Sequence, residues 1–262
     1  MNFKCIIVLY NVNYKDSASY TDLVQTECYK QGKMEIICVD NSVQPMGNDE
    51  LKFVPNHFYI DMHGNKGLSK AYNAAIERIC QREVLQEDLI VLLDDDTHIG
   101  DDYFEKMSIA GRSGSDVYLP IVQDQKGIMS PNIMKRFRCS RCTDVTQINM
   151  KNISGINSGM AIRSTVFCQY HYNEELFLDY IDHSFIRDMK EQGKKIEIVD
   201  TILQQNFSTL TDNYDQSKKR FEIFRKDIKV FYSRDFIDKL AFVYIVSRRK
   251  LGIFLKFKRI FH

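Results

Sequence analysis

An apolar run, Leu89-Ile90-Val91-Leu92-Leu93, passes directly into Asp94-Asp95-Asp96-Thr97. Five apolar residues without alternation read as a strand buried on both faces, the pattern of a parallel sheet covered by helices. Three ionised carboxylates at the end of such a strand repel one another, and the repulsion grows as the local dielectric falls. Two readings follow from the residues alone. The run is an acidic turn open to water, or it is a site for a hard divalent cation such as Mg²⁺ or Mn²⁺, which takes oxygen ligands and completes its shell with water and phosphate oxygens.

The surrounding sequence alternates strand and helix. Phe3 to Leu9, Met34 to Val39 and His57 to Ile60 read as strands, and Ser17 to Lys30 and Gly67 to Arg82 as helices. This β-α-β-α order predicts a parallel sheet with helices on both faces, and ligands bind open parallel sheets beyond the carboxyl ends of the strands. Asp40 and Asp94 to Asp96 both fall at those ends. Two separate acidic positions would then face one crevice.

The second half is less regular. Val117 to Val122, Ile128 to Met134 and Lys195 to Val199 are predicted strands, with a polar, mobile loop over Arg136 to Ile153. Ser154 to Met160 is built of small residues that allow close backbone approach to a ligand. Leu176 to His183 leads into a helix that Gly193 would end. If residues 179–193 are helical, Asp179 and Asp182 share a face.

Charge is unevenly divided. Residues 218–262 hold 14 basic and 4 acidic side chains, against 22 and 31 in residues 1–217. Phenylalanines interleave the basic clusters, as in helices that lie on an anionic membrane surface. The same helices packed on the main domain, with basic faces in water, are the alternative. No recognised nucleic-acid motif is present. The chain thus divides into a main domain, 1–217, and a basic amphipathic helical tail, 218–262.

The N-terminus shows neither a cleavage-site pattern nor a long apolar region, so no secretion signal is expected. Seven scattered cysteines fit reduced thiols in the cytoplasm better than a disulfide scaffold. Cys139 and Cys142 form a close pair, but no second pair completes a zinc site. They read as two reduced loop thiols.

Taken in order, Tyr10-Asn11, Val39-Asp40-Asn41-Ser42, the segment from Asn65 through Gly67 to Asn73, Leu93 to Thr97, Ser158-Gly159-Met160 and Phe177 to Asp182 resemble the family 2 glycosyltransferases, within their rhamnosyltransferase-like branch. The resemblance covers residues 3 to about 208. It implies an α/β GT-A fold, a Rossmann-like mixed sheet flanked by helices, with inverting transfer from a nucleotide sugar and Mg²⁺ or Mn²⁺ as cofactor. It also implies roles. Asp94 and Asp96 would be the metal carboxylates, and Asp182 the general base with Asp179 as its competitor. Tyr10, Asn11, Asp40, Asn65, Lys66, Gly67, Asn73 and Asp95 would lie along the donor nucleotide. Ser158, Gly159 and Met160 would form a loop at the acceptor or sugar. The partners to expect are a nucleotide-sugar donor such as dTDP-rhamnose or a UDP-hexose, a glycan or lipid-linked acceptor, the inner membrane face through the tail, and a homodimer.

Two departures from the pattern stand out. Many relatives carry an Arg six residues after the acid of the last motif, where this chain has Asp188 preceded by Arg187. Many also place a His in the last strand, where this chain reads Leu203-Gln204-Gln205-Asn206-Phe207-Ser208. A third protein ligand for a metal is therefore not expected. His63, His98 and His183 flank motifs without ligand spacing. A phosphatase of the haloacid dehalogenase type needs its Asp-x-Asp-x-Thr on the first strand, and a non-catalytic nucleotide-sugar binding protein would lack a working acid pair.

Overall fold

Alternate residues of the two central strands enter different layers. A computed structural model of the chain describes residues 1–82, 87–205 and 213–258. In β1 (Phe3–Leu9) and β4 (Leu89–Asp94), Ile6, Ile90 and Leu92 join one core cluster, while Cys5, Ile7, Val91 and Leu93 join the other. Burial on both sides explains why the run before Asp94 is apolar without alternation.

The remaining strands are β2 (Met34–Asp40), β3 (His57–Asp61), β5 (Thr97–His98), β6 (Val117–Asp124), β7 (Gly127–Ser130), β8 (Asn132–Lys135), β9 (Arg138–Arg141), β10 (Ile153–Ser154), β11 (Ala161–Arg163) and β12 (Ile196–Gln205). The main sheet runs β3-β2-β1-β4-β11-β6-β12-β5, with β7 on β6. Strands β1 to β4 are parallel, β11 is antiparallel to both neighbours, and β12 is parallel to β6. A short second sheet, β10-β8-β9, lies apart. This is the mixed sheet flanked by helices that the resemblance implies; the parallel sheet predicted from the β-α-β-α order holds for β1 to β4, and the antiparallel β11 and β5 depart from it.

The helices are α1 (Ala18–Leu23), α2 (Glu27–Lys30), α3 (Leu68–Cys80), α4 (Asp101–Ala110), α5 (Ser164–Phe167), α6 (Ile181–Glu191), α7 (Tyr214–Phe231) and α8 (Phe236–Phe257). One layer packs Leu23 and Tyr103, Phe104 and Met107 of α4 against the sheet. The other packs Ala71, Ala75 and Ile76 of α3, Phe185 and Ile186 of α6, and Phe221, Phe224 and Ile228 of α7.

Several expectations change. The helix predicted over Ser17 to Lys30 is two helices, because the Thr26 hydroxyl accepts from the Tyr29 N–H and restarts the helix. The strand predicted over Ile128 to Met134 is split at Pro131, which has no N–H to give a ladder. The loop predicted over Arg136 to Ile153 contains β9 and two 3₁₀ turns. The boundary expected between residues 217 and 218 falls inside α7, whose apolar face belongs to the main core. Cys80 at the end of α3 and Cys168 after α5 form a disulfide, against the expectation of reduced thiols throughout, while Cys139 and Cys142 remain free. Among the described residues no helix is long and apolar enough to cross a membrane.

Candidate active site

Strand register brings the acids to one rim. Val8 pairs with Asp94 on one side of β1, and Leu9 pairs with Asp40 on the other. With one strand between them, the ends of β2 and β4 lie about 10 Å apart in the sheet direction. The backbone after Asp94 is gripped from α1. The Ser17 hydroxyl donates to the Asp95 carbonyl at 2.9 Å, and the Ser19 hydroxyl contacts the carbonyls of Asp94 and Thr97.

The side chains of the run carry uncompensated charge. Burial pushes the Asp94 carboxyl up, with Asp96 and Asp182 adding repulsion and hydrogen bonds from Ser158 and Gln205 opposing it. Asp95 is raised to about 6 by burial and then by Asp96 and Asp94. Among the described residues no Lys or Arg forms an ion pair with any of the three. A cluster of this kind is costly unless a cation or protons neutralise it.

Gln205 is the residue that sequence reading missed. It ends β12 opposite Thr97 of β5, and this pairing delivers its side chain to the acids. Its Nε2 donates to Asp94 Oδ2 and Asp96 Oδ1, each at 3.1 Å. Its Oε1 is buried without a partner. Burial of Val199, Thr201, Leu203 and Gln205 has period 2, but the sequence does not show it, since Thr201 is polar and buried while Ile202 is apolar and exposed. No group of three His, Cys, Asp or Glu among the described residues is arranged to hold a metal. A divalent cation between the acids would take their two carboxylates and, with the Gln205 carboxamide turned over so that Oε1 replaces Nε2, an amide oxygen, all hard oxygens. The orphaned Oε1 beside the repelling carboxylates is the observation that favours this fit.

Asp182 opens α6, half-buried, with its Oδ1 accepting from the His183 N–H at 2.7 Å. Burial disfavours a charged His183, but Asp182 and then Cys139 outweigh it and raise the imidazole to about 9. Asp179 does not share the helix. It precedes Tyr180, whose φ of 63° places it outside α6, and its carboxylate is clamped by both Arg220 nitrogens of α7. Asp227, also on α7 and 1% exposed, accepts from the N–H groups of Phe177, Leu178 and Asp179 at 2.9, 2.8 and 2.7 Å. Helix α7 thus fixes the segment that carries Asp182, and Asp179 is occupied by that anchoring.

The proposed donor side is a stitched set of loops. Asp40 is buried and accepts from the Ser42 N–H, Asn48 Nδ2 and the Tyr59 hydroxyl at 3.1, 2.8 and 3.2 Å. It caps the turn after β2. The Asn11 N–H donates to Ser42 Oγ, and Asn11 Oδ1 accepts from the Val43 N–H, which leaves Tyr10 exposed at the rim. Asn65 Oδ1 accepts from Asn41 Nδ2 and the Gly67 N–H, so its carboxamide shapes the loop. Lys66 donates its N–H to Asn41 Oδ1 and exposes its side chain. Asn73 is drawn away from the site, exchanging hydrogen bonds with the Tyr172 backbone at 2.8 and 3.0 Å. His63 is exposed beside Asp61, and His98 pairs with Asp22.

Gly67 and Gly159 are set by close approach. Gly67 has φ +91°, and a Cβ there would meet the Phe177 ring at 2.7 Å and its carbonyl at 2.9 Å. Gly67→Ala is expected to lower stability by about 2–3 kcal/mol through overpacking and strain. A urea midpoint indistinguishable from the parent would rule this out. At Gly159 a Cβ would collide with Leu203. The Gly159 N–H donates to the Leu92 carbonyl, Met160 accepts from the Leu92 N–H, and the Ser158 hydroxyl contacts Asp94 Oδ2. Of this loop only Ser158 turns its side chain to the acids. Met160 is wholly buried.

Neither a protein-family model nor a curated protein sequence matches the chain. Solved structures do match. The S. aureus TarS fragment 1-349 superposes with a TM-score of 0.55 at 15% identity, covering 99% of this chain and 73% of that one. The same fragment in complex with UDP gives 0.57 at 17% identity, over 96% and 72%. GalNAc-T7 with UDP, GalNAc and Mn²⁺ gives 0.60 at 12% identity, over 79% of this chain and 44% of that one. The order of strands, the mixed sheet and these superpositions together show that the chain has the GT-A fold of the glycosyltransferases.

Proposed function

We propose that the chain is an inverting glycosyltransferase that moves a sugar from a nucleoside-diphosphate donor to a hydroxyl of a glycan or lipid-linked acceptor in surface polysaccharide synthesis. The observation that carries this reading is the uncompensated acid cluster at the carboxyl rim of a GT-A sheet, with Gln205 Oε1 orphaned beside it. The crystallised neighbours with UDP, or with UDP and Mn²⁺, support a nucleotide donor and a divalent metal.

Asp94, Asp96 and the Gln205 amide would hold Mg²⁺ or Mn²⁺. Such an ion, when bound, neutralises charge on a departing diphosphate. Lys66, exposed on its loop, would contact the donor phosphates, and Tyr10, Asn11 and Asp40 would frame the nucleotide end. Asp95 faces the ribose or sugar. Asp182 takes the proton from the acceptor hydroxyl as it attacks, since a sugar hydroxyl is too weak an acid to ionise at neutral pH unaided. The bond from the anomeric carbon to the diphosphate oxygen breaks as the bond to the acceptor oxygen forms. Release of nucleoside diphosphate from a panel that includes dTDP-rhamnose, UDP-galactofuranose, UDP-galactose and UDP-glucose tests the reading. Turnover of one donor is the expected result, and hydrolysis of simple phosphate esters without turnover of any nucleotide sugar would favour a phosphatase instead.

Gln205→Ala is expected to weaken Mn²⁺ binding by about 10–100-fold, the range for a residue that orients metal ligands. Electron paramagnetic resonance of free Mn²⁺ reads this without turnover. Equal titration curves for the variant and parent would remove Gln205 from the site.

Helix α8 supplies a membrane contact. Ala241, Phe242, Ile245 and Ile253 pack on the core, yet Phe236, Ile237, Leu240, Val243, Tyr244, Leu251 and Leu255 are exposed. At 3.6 residues per turn these seven fall on one stripe. Lys239, Arg248 and Lys250 are exposed along its edges, and the helix's sole acid, Asp238, is buried. A rim of one sign opposes self-pairing and suits anionic headgroups. The chain should float with phosphatidylglycerol vesicles but not with phosphatidylcholine vesicles, and Leu240→Asp with Leu251→Asp should abolish flotation. Unchanged flotation of the folded variant, or loss of a solution dimer in its place, would contradict the assignment. Deleting residues 218–262 is the wrong test, because α7 belongs to the core.

A further inference from the structure

A cavity of about 220 Å³ lies beside the start of α6, lined by Lys135, Arg136, Arg187, Lys190 and Arg234 and by the two acids Glu191 and Asp238, with His183 and Tyr232 in its wall. His183, Arg187 and Lys190 recur at four and three residues, so α6 turns one face into it. His183 adjoins Asp182, and its Nδ1 lies 2.6 Å from Ser154 Oγ at the cavity edge.

The cations are unequally satisfied. Arg136 pairs with Asp235 and Asp238, and Arg234 with Asp188 and Glu191. Among the described residues Lys190 hydrogen-bonds only the neutral carbonyls of Lys151 and Ile153, at 3.2 and 2.9 Å. Arg187 donates through Nη1 to the Phe231 carbonyl and stacks over the Phe231 ring at 4.1 Å. Its Nε is buried without a hydrogen bond, 4.0 Å from an Asp188 oxygen that already serves Arg234. The hydroxyl of Tyr232, a residue only 4% exposed, is likewise buried without a partner. Burial works against the charge on both Arg187 and Lys190, and Arg234 adds repulsion at Arg187, while Asp188, Glu191 and Asp238 at Arg187 and Glu191 at Lys190 oppose this in part. Cations on several walls of one cavity, with Lys135 and Lys190 hydrogen-bonded to no carboxylate among the described residues, call for an anion with several acceptor oxygens. A tetrahedral phosphate meets that need, whereas a planar carboxylate is matched by a single guanidinium fork.

We infer that this cavity binds a phosphate group of the acceptor and so seats the acceptor beside Asp182. The inference rests on the transferase reading for the word acceptor, but the binding itself does not. Two sources share the chemistry, a lipid phosphate headgroup and a phosphodiester within a glycan.

Calorimetric titration of the full chain with inorganic phosphate in EDTA is the test. One site is expected, weakened about tenfold or more in Arg187→Gln with Lys190→Gln, as loss of charged hydrogen bonds implies. Should that pair fail to fold, Lys135→Glu at the exposed rim should also weaken binding. Phosphate should still bind when UDP and Mg²⁺ are present, because the donor site is separate. Competition by phosphatidic acid vesicles would assign the group to a lipid, and competition by dimethyl phosphate to a glycan phosphodiester. No phosphate binding to the folded parent, equal binding by the folded variants, or displacement by UDP would overturn the inference. Phosphate binding without turnover of any nucleotide sugar would leave the cavity assigned and sink the transferase reading instead.

Discussion

Asp182→Asn is expected to lower transfer by about 10²–10⁴-fold, the usual contribution of a positioned general base. The substitution keeps the shape of the side chain and its acceptor for the His183 N–H. Nucleotide binding should therefore persist while turnover falls, and the loss should appear in kcat rather than in the donor KM. Of the two acids considered from the sequence, Asp179 is tied to both nitrogens of Arg220, and a carboxylate so engaged cannot take a proton without giving up that pair. Asp179→Asn should accordingly act through stability. Near-normal turnover in Asp182→Asn would transfer the base to another residue.

Asp227→Asn is expected to cost about 3 kcal/mol of stability and most of the activity with it. The Asp227 carboxylate accepts three backbone N–H groups and has no exposed surface to exchange them for water. An amide turns one accepting oxygen into a donor, which then faces N–H groups, and buried hydrogen bonds to a charge are worth roughly 1.5–3 kcal/mol each. The urea midpoint reads the first effect. The second follows because residues 177–182 hang from Asp227, and a displaced Asp182 loses its reach to the acceptor. A variant as stable as the parent would mean that α7 does not anchor this segment.

The parts of the fold that sequence revealed are those written in local periodicity. The double burial of β4 shows as a run without alternation, and the small residues Ala71, Ala74 and Ala75 show as a helix packed close to the sheet. What escaped was long-range. Strand β11 joins the sheet antiparallel through three residues, too short for any pattern. Gln205 reaches the acids only because β12 pairs with a two-residue strand, β5, 108 positions earlier at Thr97. The same logic applies to Asn73. Its motif context suggested the donor, but its carboxamide pins the backbone at Tyr172, 99 residues away. Arg220 and Asp227 lay in what looked like a separate basic tail, and their role became visible only when α7 docked.

Calorimetry of UDP binding tests the central claim most directly. The account predicts heat of binding in Mn²⁺ that is lost in EDTA and in Asp94→Asn with Asp96→Asn, with the protein folded throughout. Absence of UDP binding to the folded parent in Mn²⁺, or binding of equal strength without metal or without the two carboxylates, would contradict it.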